Sequence, residues 1–106
     1  MKLGVVIYSN DPETVWNAFR LGILALSCGD DVTVFLLAEG VEVESLDTTE
    51  FGTTDKMGEF AQKGGRMFSC GTCMSLRNQP TPKNCQSASM GALYEMIKNS
   101  DKVITL

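Results

Sequence analysis

Histidine is absent from this sequence of 106 residues. Its absence excludes the Cys–His and Ser–His pairs that activate most nucleophiles in hydrolytic enzymes. It also removes the commonest zinc and copper ligand. A reactive cysteine in this chain would therefore need a helix terminus or a nearby cation to favour its thiolate.

Positive charge and long apolar segments are scarce as well. Nine lysines and arginines stand against thirteen acids, a formal net charge of −4, so we expect no nucleic acid partner. The first residues lead directly into a short strand-like run, so we expect neither a signal peptide nor a membrane segment, and we predict a cytoplasmic protein. Four cysteines in that reducing compartment indicate catalytic, carrier, metal-binding or buried thiols rather than structural disulfides.

What the chain does contain is an alternation of apolar strands and amphipathic helices. We predict strands at residues 3–8, 32–38, 66–70 and 102–106, with a short, weak strand possible at 85–88. Helices are predicted from Pro12 to about Cys28, from a cap at Thr53 or Thr54 to Gly64, for a turn behind Cys73, and after a cap at Ser89; residues 43–51 are predicted as a loop. The pattern predicts one α/β domain over residues 1–106, a three-layer α/β/α sandwich with a mostly parallel sheet of four to five strands.

In such sheets, ligands and reactive groups gather at the carboxyl ends of the strands. Asn10 and Glu39 each follow a predicted strand, and Cys70 ends one, so we expect all three at one edge. Asn10 and Glu39 are therefore candidate site residues. A lone surface acid is the simpler account of Glu39.

The only concentrated chemistry in the sequence is the Cys-x-x-Cys of Cys70, Gly71, Thr72 and Cys73. It lies where a strand runs into a helix, so free amide groups and the helix dipole would favour a thiolate. Arg77 follows Cys73 by four residues, which on a helix brings its positive charge to the same face. The alternative is that both cysteines are small buried residues, as free cysteine often is.

The two other cysteines are weaker candidates. Cys28 continues the apolar face of the first helix, so we expect it to be buried packing, whereas Cys85 could fold back towards the Cys-x-x-Cys or simply pack.

Strong zinc signatures have two ligand pairs and this chain has one, so we expect neither a metal nor a cofactor. A thioredoxin-type fold is disfavoured, because its Cys-x-x-Cys follows an early strand and here it follows the third.

The chain resembles the DsrE-like (DsrE/DsrF/DsrH-like) family of small sulfur-metabolism proteins, which includes the sulfur-relay subunits of tRNA thiolation. The resemblance rests on four segments: Leu3 to Tyr8, Phe35 to Val41, Phe68 to Cys73 with Arg77, and Ser89 to Leu93 together with Asp101 to Thr105. It implies a parallel sheet, commonly of five strands, which favours counting residues 85–88 as the fourth. It also implies trimers or hexamers.

In the relay members of the family, one cysteine at the end of the third strand carries a persulfide, and by position this is Cys70. Those members usually lack a second cysteine, whereas this chain has Cys73, which could resolve the persulfide, tune Cys70 or be structural. The leading hypothesis is a sulfur carrier or sulfurtransferase-like protein with protein donors and acceptors of sulfur, supported at its site by Gly71, Thr72 and Arg77. The alternatives are a non-enzymatic oligomeric subunit with structural cysteines, and a redox protein that cycles a Cys70–Cys73 disulfide.

Overall fold

Five strands form one parallel sheet in the computed structural model, which describes all 106 residues. The strands are β1 Lys2–Ile7, β2 Asp31–Leu36, β3 Arg66–Cys70, β4 Gln86–Ala88 and β5 Lys102–Thr105, in the spatial order β4-β3-β2-β1-β5. The predicted α/β fold with a parallel sheet is confirmed. The weak strand predicted near residues 85–88 is present as the edge strand β4.

Helices cover both faces of the sheet. They are α1 Pro12–Ser27, α2 Thr53–Gln62, α3 Gly71–Leu76 and α4 Met90–Asn99, with a 3₁₀ helix at Ala38–Ser45. Val32 of β2 lies under Gly22 of α1, whereas the next residue, Thr33, lines a groove with Met96 of α4. Because neighbouring side chains of a strand point to opposite faces, α1 and α4 lie on opposite sides of the sheet. We call these sides the α1 face and the α4 face.

Side-chain caps define where the helices begin. Asp11 accepts a hydrogen bond from the Thr14 amide at 2.9 Å, and Ser89 accepts one from the Ala92 amide at 3.3 Å. The predicted cap of α2 by Thr53 or Thr54 is wrong. The carboxylate of Asp47 instead accepts from the Thr53 hydroxyl at 2.7 Å and from the Thr54 amide at 2.8 Å. None of these helices is both long and apolar enough to span a bilayer.

The loop predicted for residues 43–51 is wrong in its first part, because the 3₁₀ helix extends to Ser45. This helix is held down by burial of Val41 and Val43, neither of which is exposed. Gly40 packs so closely on the end of β1 that a Cβ there would collide with the carbonyl oxygen of Ile7. The consequence is that the 3₁₀ helix lies against the carboxyl edge of the sheet, beside the predicted site.

Candidate functional site

The Cys-x-x-Cys lies at the junction of β3 and α3, as predicted. Cys70 is the last residue of β3 and the N-cap of α3, and Cys73 lies in the first turn of that helix. The sulfur of Cys70 accepts a hydrogen bond from the backbone N–H of Cys73 at 3.4 Å. Cys70 is 4% exposed, whereas Cys73 is half-buried. Cys73 is therefore the more accessible of the two thiols in the isolated chain.

The sulfur of Cys73 also accepts a hydrogen bond from a backbone amide, in the segment that follows the neighbouring strand β2. The N–H of Ala38, just beyond β2, donates to Cys73 Sγ at 3.2 Å. Ala38 has φ of +51°, in the left-handed region that residues other than glycine seldom adopt. Uncommon backbone conformations of this kind collect at functional sites. Each sulfur of the pair thus accepts one backbone N–H.

The environment of Cys73 favours its protonated form. Burial raises the pKa of the Cys73 thiol above its ordinary value, and the neighbouring sulfur of Cys70 adds to this. The Ala38 amide and the charge of Arg77 lower the Cys73 pKa, but they do not offset the other causes. The expectation that the helix terminus and Arg77 produce a thiolate is therefore wrong for Cys73.

Arg77 is engaged by a residue that the sequence reasoning missed. Its Nε donates to Oε2 of Glu42 at 2.8 Å, and its Nη1 donates to the carbonyl oxygen of Cys73 at 3.2 Å. Asn10 Nδ2 donates to the other oxygen, Oε1 of Glu42, at 3.4 Å. Two predicted site residues, Asn10 and Arg77, therefore meet at one carboxylate beside the thiols.

The carboxylate is held in its charged form. The hydrogen bond from Arg77 is the main cause that lowers the pKa of Glu42, with the bond from Asn10 next, and the same contact raises the pKa of Arg77. Glu42 belongs to the 3₁₀ helix, which the sequence reasoning assigned to the connection leaving the second strand. A signal was nevertheless present, because Glu42 follows a strand whose carboxyl end lies at the predicted edge.

The remaining predicted residues contribute less. Glu39 is exposed and makes no hydrogen bond, although its charge adds to the raised pKa of Arg77. Thr72 is exposed on the first turn of α3. Gly71 lies close to β4: a Cβ there would be 3.1 Å from Ser87 Oγ, a tight contact that a small rotation of this exposed hydroxyl would relieve.

Cys28 and Cys85 lie outside this cluster. The register pairs Cys70 with Ala88, so Cys85 lies three positions before the neighbour of Cys70 on a parallel strand, away from the carboxyl edge. Burial, and to a smaller degree the charge of Glu44, raises the Cys85 pKa to about 12. The predicted burial of Cys28 is wrong, because α1 ends at Ser27 and the cysteine that caps it is exposed.

No group of three or more cysteine, aspartate or glutamate side chains lies close enough to hold a metal ion. All four cysteines are free thiols. The chemistry that this arrangement offers is therefore that of two neighbouring thiols with one amide donor each. A cation beside them is already paired with a carboxylate.

The fold and the site together define a class: small parallel α/β proteins with a cysteine at the carboxyl end of the third strand. The sequence matches the model of the DsrE/DsrF-like family over residues 1–106. The chain belongs to this family. No curated protein matches the sequence at a significant level.

Solved structures share the fold over the whole chain. The YchN protein from E. coli superposes with a TM-score of 0.85 at 19% identity, over 100% of both chains. A conserved protein of unknown function from Bacteroides thetaiotaomicron gives 0.80 at 19% identity, over 99% of this chain and 94% of that one. A protein of unknown function from Methanobacterium thermoautotrophicum gives 0.76 at 13% identity, over 99% and 98%. At these identities the likeness concerns the fold.

Proposed function

We propose that this protein is a cytoplasmic sulfur carrier that holds sulfane sulfur as a persulfide on Cys70 and passes it to a partner protein. The observation that carries the proposal is the pair of sulfurs where β3 meets α3, each of which accepts one backbone N–H, in a chain of the DsrE/DsrF-like family. Amide donors stabilise anionic sulfur as they stabilise other anions, without histidine. No metal or cofactor is needed for this chemistry.

Loading of the carrier is a displacement at sulfur. The thiolate of Cys70 attacks the outer sulfur of a donor persulfide, the Cys70 Sγ–S bond forms, and the donor's S–S bond breaks to leave the donor thiolate. An acceptor nucleophile then attacks the outer sulfur and releases the Cys70 thiolate. Sulfur is received from one protein and given to another, and Cys70 returns to its thiolate, which is the cycle of a sulfur carrier.

Cys73 provides a second route by which sulfur can leave the Cys70 persulfide. Its thiolate can attack Cys70 Sγ, which forms a Cys70–Cys73 disulfide and releases the outer sulfur as hydrosulfide. A cellular thiol must then reduce the disulfide before the next cycle. Because the pKa of Cys73 is raised, this exit is slow at neutral pH and the persulfide is preserved for transfer.

We further propose that the carrier acts as a trimer or hexamer and exchanges sulfur with donor and acceptor proteins. The exposed apolar residues of α4 support self-association: Met90 is 61%, Tyr94 63% and Ile97 46% exposed. Their spacing places them on one stripe of the helix. Apolar stripes of this kind mark protein interfaces.

The test is the intact mass of reduced protein after incubation with a sulfane-sulfur donor. The expected result is a gain of one sulfur atom that Cys70→Ser abolishes, while Cys73→Ser retains it for longer. Cys28→Ser is the matched control, because that thiol is exposed and outside the site. The proposal fails if no adduct forms, or if the adduct survives in Cys70→Ser.

A redox role is the second candidate, favoured by the hydrogen bond that brings Cys73 against the sulfur of Cys70. It predicts a reversible disulfide whose reduction potential lies near the cytosolic poise. A potential far below that poise would leave the pair permanently oxidised and would exclude a switch. If instead Cys70→Ser and Cys73→Ser lose only stability, the cysteines are structural and the chain is a non-enzymatic subunit.

A further inference from the structure

Arg77, the cation beside the two thiols, is hydrogen-bonded to the backbone of Cys73, the residue whose thiol its charge would influence. Arg77 lies just after α3 and donates Nη1 to the carbonyl of Cys73, while its Nε donates to Glu42 on the 3₁₀ helix. The guanidinium therefore connects the helix that carries Cys73 to the segment that carries the Ala38 amide. Both charged side chains are close to 30% exposed, so water screens the pair only in part.

The charged and titratable groups around Cys73 come from three elements. Cys70 of β3 and Arg77 at the end of α3 act on Cys73 itself, whereas Glu42 and the exposed Glu39 of the 3₁₀ helix act on Arg77. Asn10 follows β1 and is neutral, and it holds the second oxygen of Glu42. Arg77 is the only cation in this group. Its charge is opposed chiefly by the carboxylate that it binds.

We propose that Glu42 is a positioning residue for the dithiol that acts through Arg77: it compensates the charge of the guanidinium beside Cys73 and so keeps the Cys73 thiol unreactive. This inference deepens the proposed function, since it concerns the regulation of the same pair of thiols. Without the carboxylate, the hydrogen bond from Nη1 to the Cys73 carbonyl would still keep the guanidinium beside Cys73, now as an unpaired cation. An unpaired cation favours the thiolate and speeds its reactions.

The two partners should have opposite effects on Cys73. Glu42→Gln leaves a positive charge at the site and should lower the pH midpoint of Cys73 alkylation. Arg77→Gln leaves a negative charge and should raise that midpoint. Glu42→Gln combined with Arg77→Gln is neutral again, so its midpoint should return close to that of the unmodified protein. A pair that only holds the structure together would shift the midpoint in the same direction in both single variants.

The experiment measures iodoacetamide alkylation of Cys73 against pH in the full chain with all four cysteines present. Fragment masses resolve Cys73 from Cys70. We expect Glu42→Gln to lower the midpoint by about half a pH unit, which makes alkylation at neutral pH about threefold faster. Glu59→Gln is the matched control, because it removes the same charge from the Lys56–Glu59 pair of α2 and should leave the midpoint unchanged.

Folding of each variant is checked by circular dichroism. If Glu42→Gln does not fold, the comparison of Arg77→Gln with Arg77→Lys still tests whether the charge beside Cys73 sets the midpoint of its alkylation. Lysine keeps the positive charge, so the midpoint of Arg77→Lys should stay close to that of the unmodified protein. The inference is overturned if Arg77→Gln fails to raise the midpoint, if both single variants shift it alike, or if Glu59→Gln matches Glu42→Gln. No sulfur donor is used, so a failure here is distinct from a failure to carry sulfur.

Discussion

The two faces of the sheet differ in how completely they are covered. On the α1 face, Phe19 of α1 and Phe60 of α2 are fully buried and meet edge to face, with ring centroids 5.7 Å apart. On the α4 face, α4 buries a single residue, Leu93, and carries three apolar side chains that are exposed: Met90, Tyr94 and Ile97. The α1 face therefore has a packed aromatic core, although α1 itself exposes Leu21 and Leu24, whereas α4 buries little and has apolar surface left for a partner.

The site lies at the carboxyl end of β3, between a well-packed internal strand and a short edge strand. The Cys70–Cys73 pair follows β3, which pairs with the internal strand β2 on one side and with the short edge strand β4 on the other. The Ala38 amide and Glu42 reach the thiols from the β2 side, through the buried 3₁₀ helix. The hydrogen bonds that hold the site therefore come from the β2 side of β3.

The largest predicted effect on stability comes from comparing one aromatic residue on each face of the sheet. Phe60→Ala should lower the free energy of unfolding by about 3–5 kcal/mol, because it leaves a cavity among fully buried neighbours. Tyr94→Ala should change it by less than about 0.5 kcal/mol in the monomer, because Tyr94 is 63% exposed. Urea unfolding at low protein concentration measures both.

The same Tyr94→Ala variant tests the assembly, because sedimentation at high concentration should show smaller species than for the unmodified chain. Equal costs of the two substitutions in dilute solution would contradict the comparison of the faces. If Tyr94→Ala leaves the sedimentation unchanged, the α4 stripe is not the surface of self-association.

Next in size is a pair of glycines that differ only in the space around them. Gly40→Ala should cost about 1–3 kcal/mol, because its Cβ would collide with the backbone of Ile7 and push the 3₁₀ helix away. Gly58→Ala, where the Cβ would meet nothing, should stabilise α2 by up to about 1 kcal/mol. Thermal unfolding compares them, and a neutral Gly40→Ala would show that the 3₁₀ helix is not held against β1.

Much of this architecture could be predicted from local sequence. Near-continuous apolar runs marked the interior strands, and Pro12 and Ser89 marked helix starts, because such signals act within a few residues. The position of Cys70 at a strand end followed from the same pattern. The parallel order of the strands then placed Asn10, Glu39 and Cys70 at one edge of the sheet, as expected.

What sequence reasoning missed depends on contacts between distant segments. The Ala38 amide lies 35 residues from the sulfur that it binds, and Glu42 lies 35 residues from Arg77. Ala38 was predicted as the end of a strand and Glu42 as part of the connection that leaves it, because the 3₁₀ helix that carries both exists through tertiary burial of Val41 and Val43 rather than through local propensity. Arg77 was expected to activate the thiols, and its partner could not be seen from its position in the chain.

A smaller effect is expected where α4 begins. Ser89→Ala should cost about 1 kcal/mol, because the hydroxyl accepts the Ala92 amide and α4 has little buried surface to compensate. Amide hydrogen exchange in α4 should accelerate more than exchange in α1. Ser75→Ala serves as control, since Ser75 is exposed in α3 and its hydroxyl makes no hydrogen bond. Uniform acceleration across both helices would mean that α4 does not open separately.

The smallest predicted effect is on the pH dependence of stability. It comes from Cys85, which packs against the core just before β4. Its pKa in the folded chain is raised to about 12 by burial, above the value of about 8.5 for an unfolded cysteine. The folded state therefore keeps a proton that the unfolded state releases. The stabilisation is complete below about pH 8.5 and is lost as the pH rises towards 12.

Cys85→Ser removes this titration at nearly constant shape, so its stability should fall less between about pH 8 and about pH 10.5 than that of the unmodified chain. Urea midpoints at the two pH values measure the difference, and subtraction cancels every other group that the two proteins share. Equal slopes would mean that water reaches the thiol freely. The edge strand β4 would then be as sparsely covered as α4, and the closely packed core would end at β3.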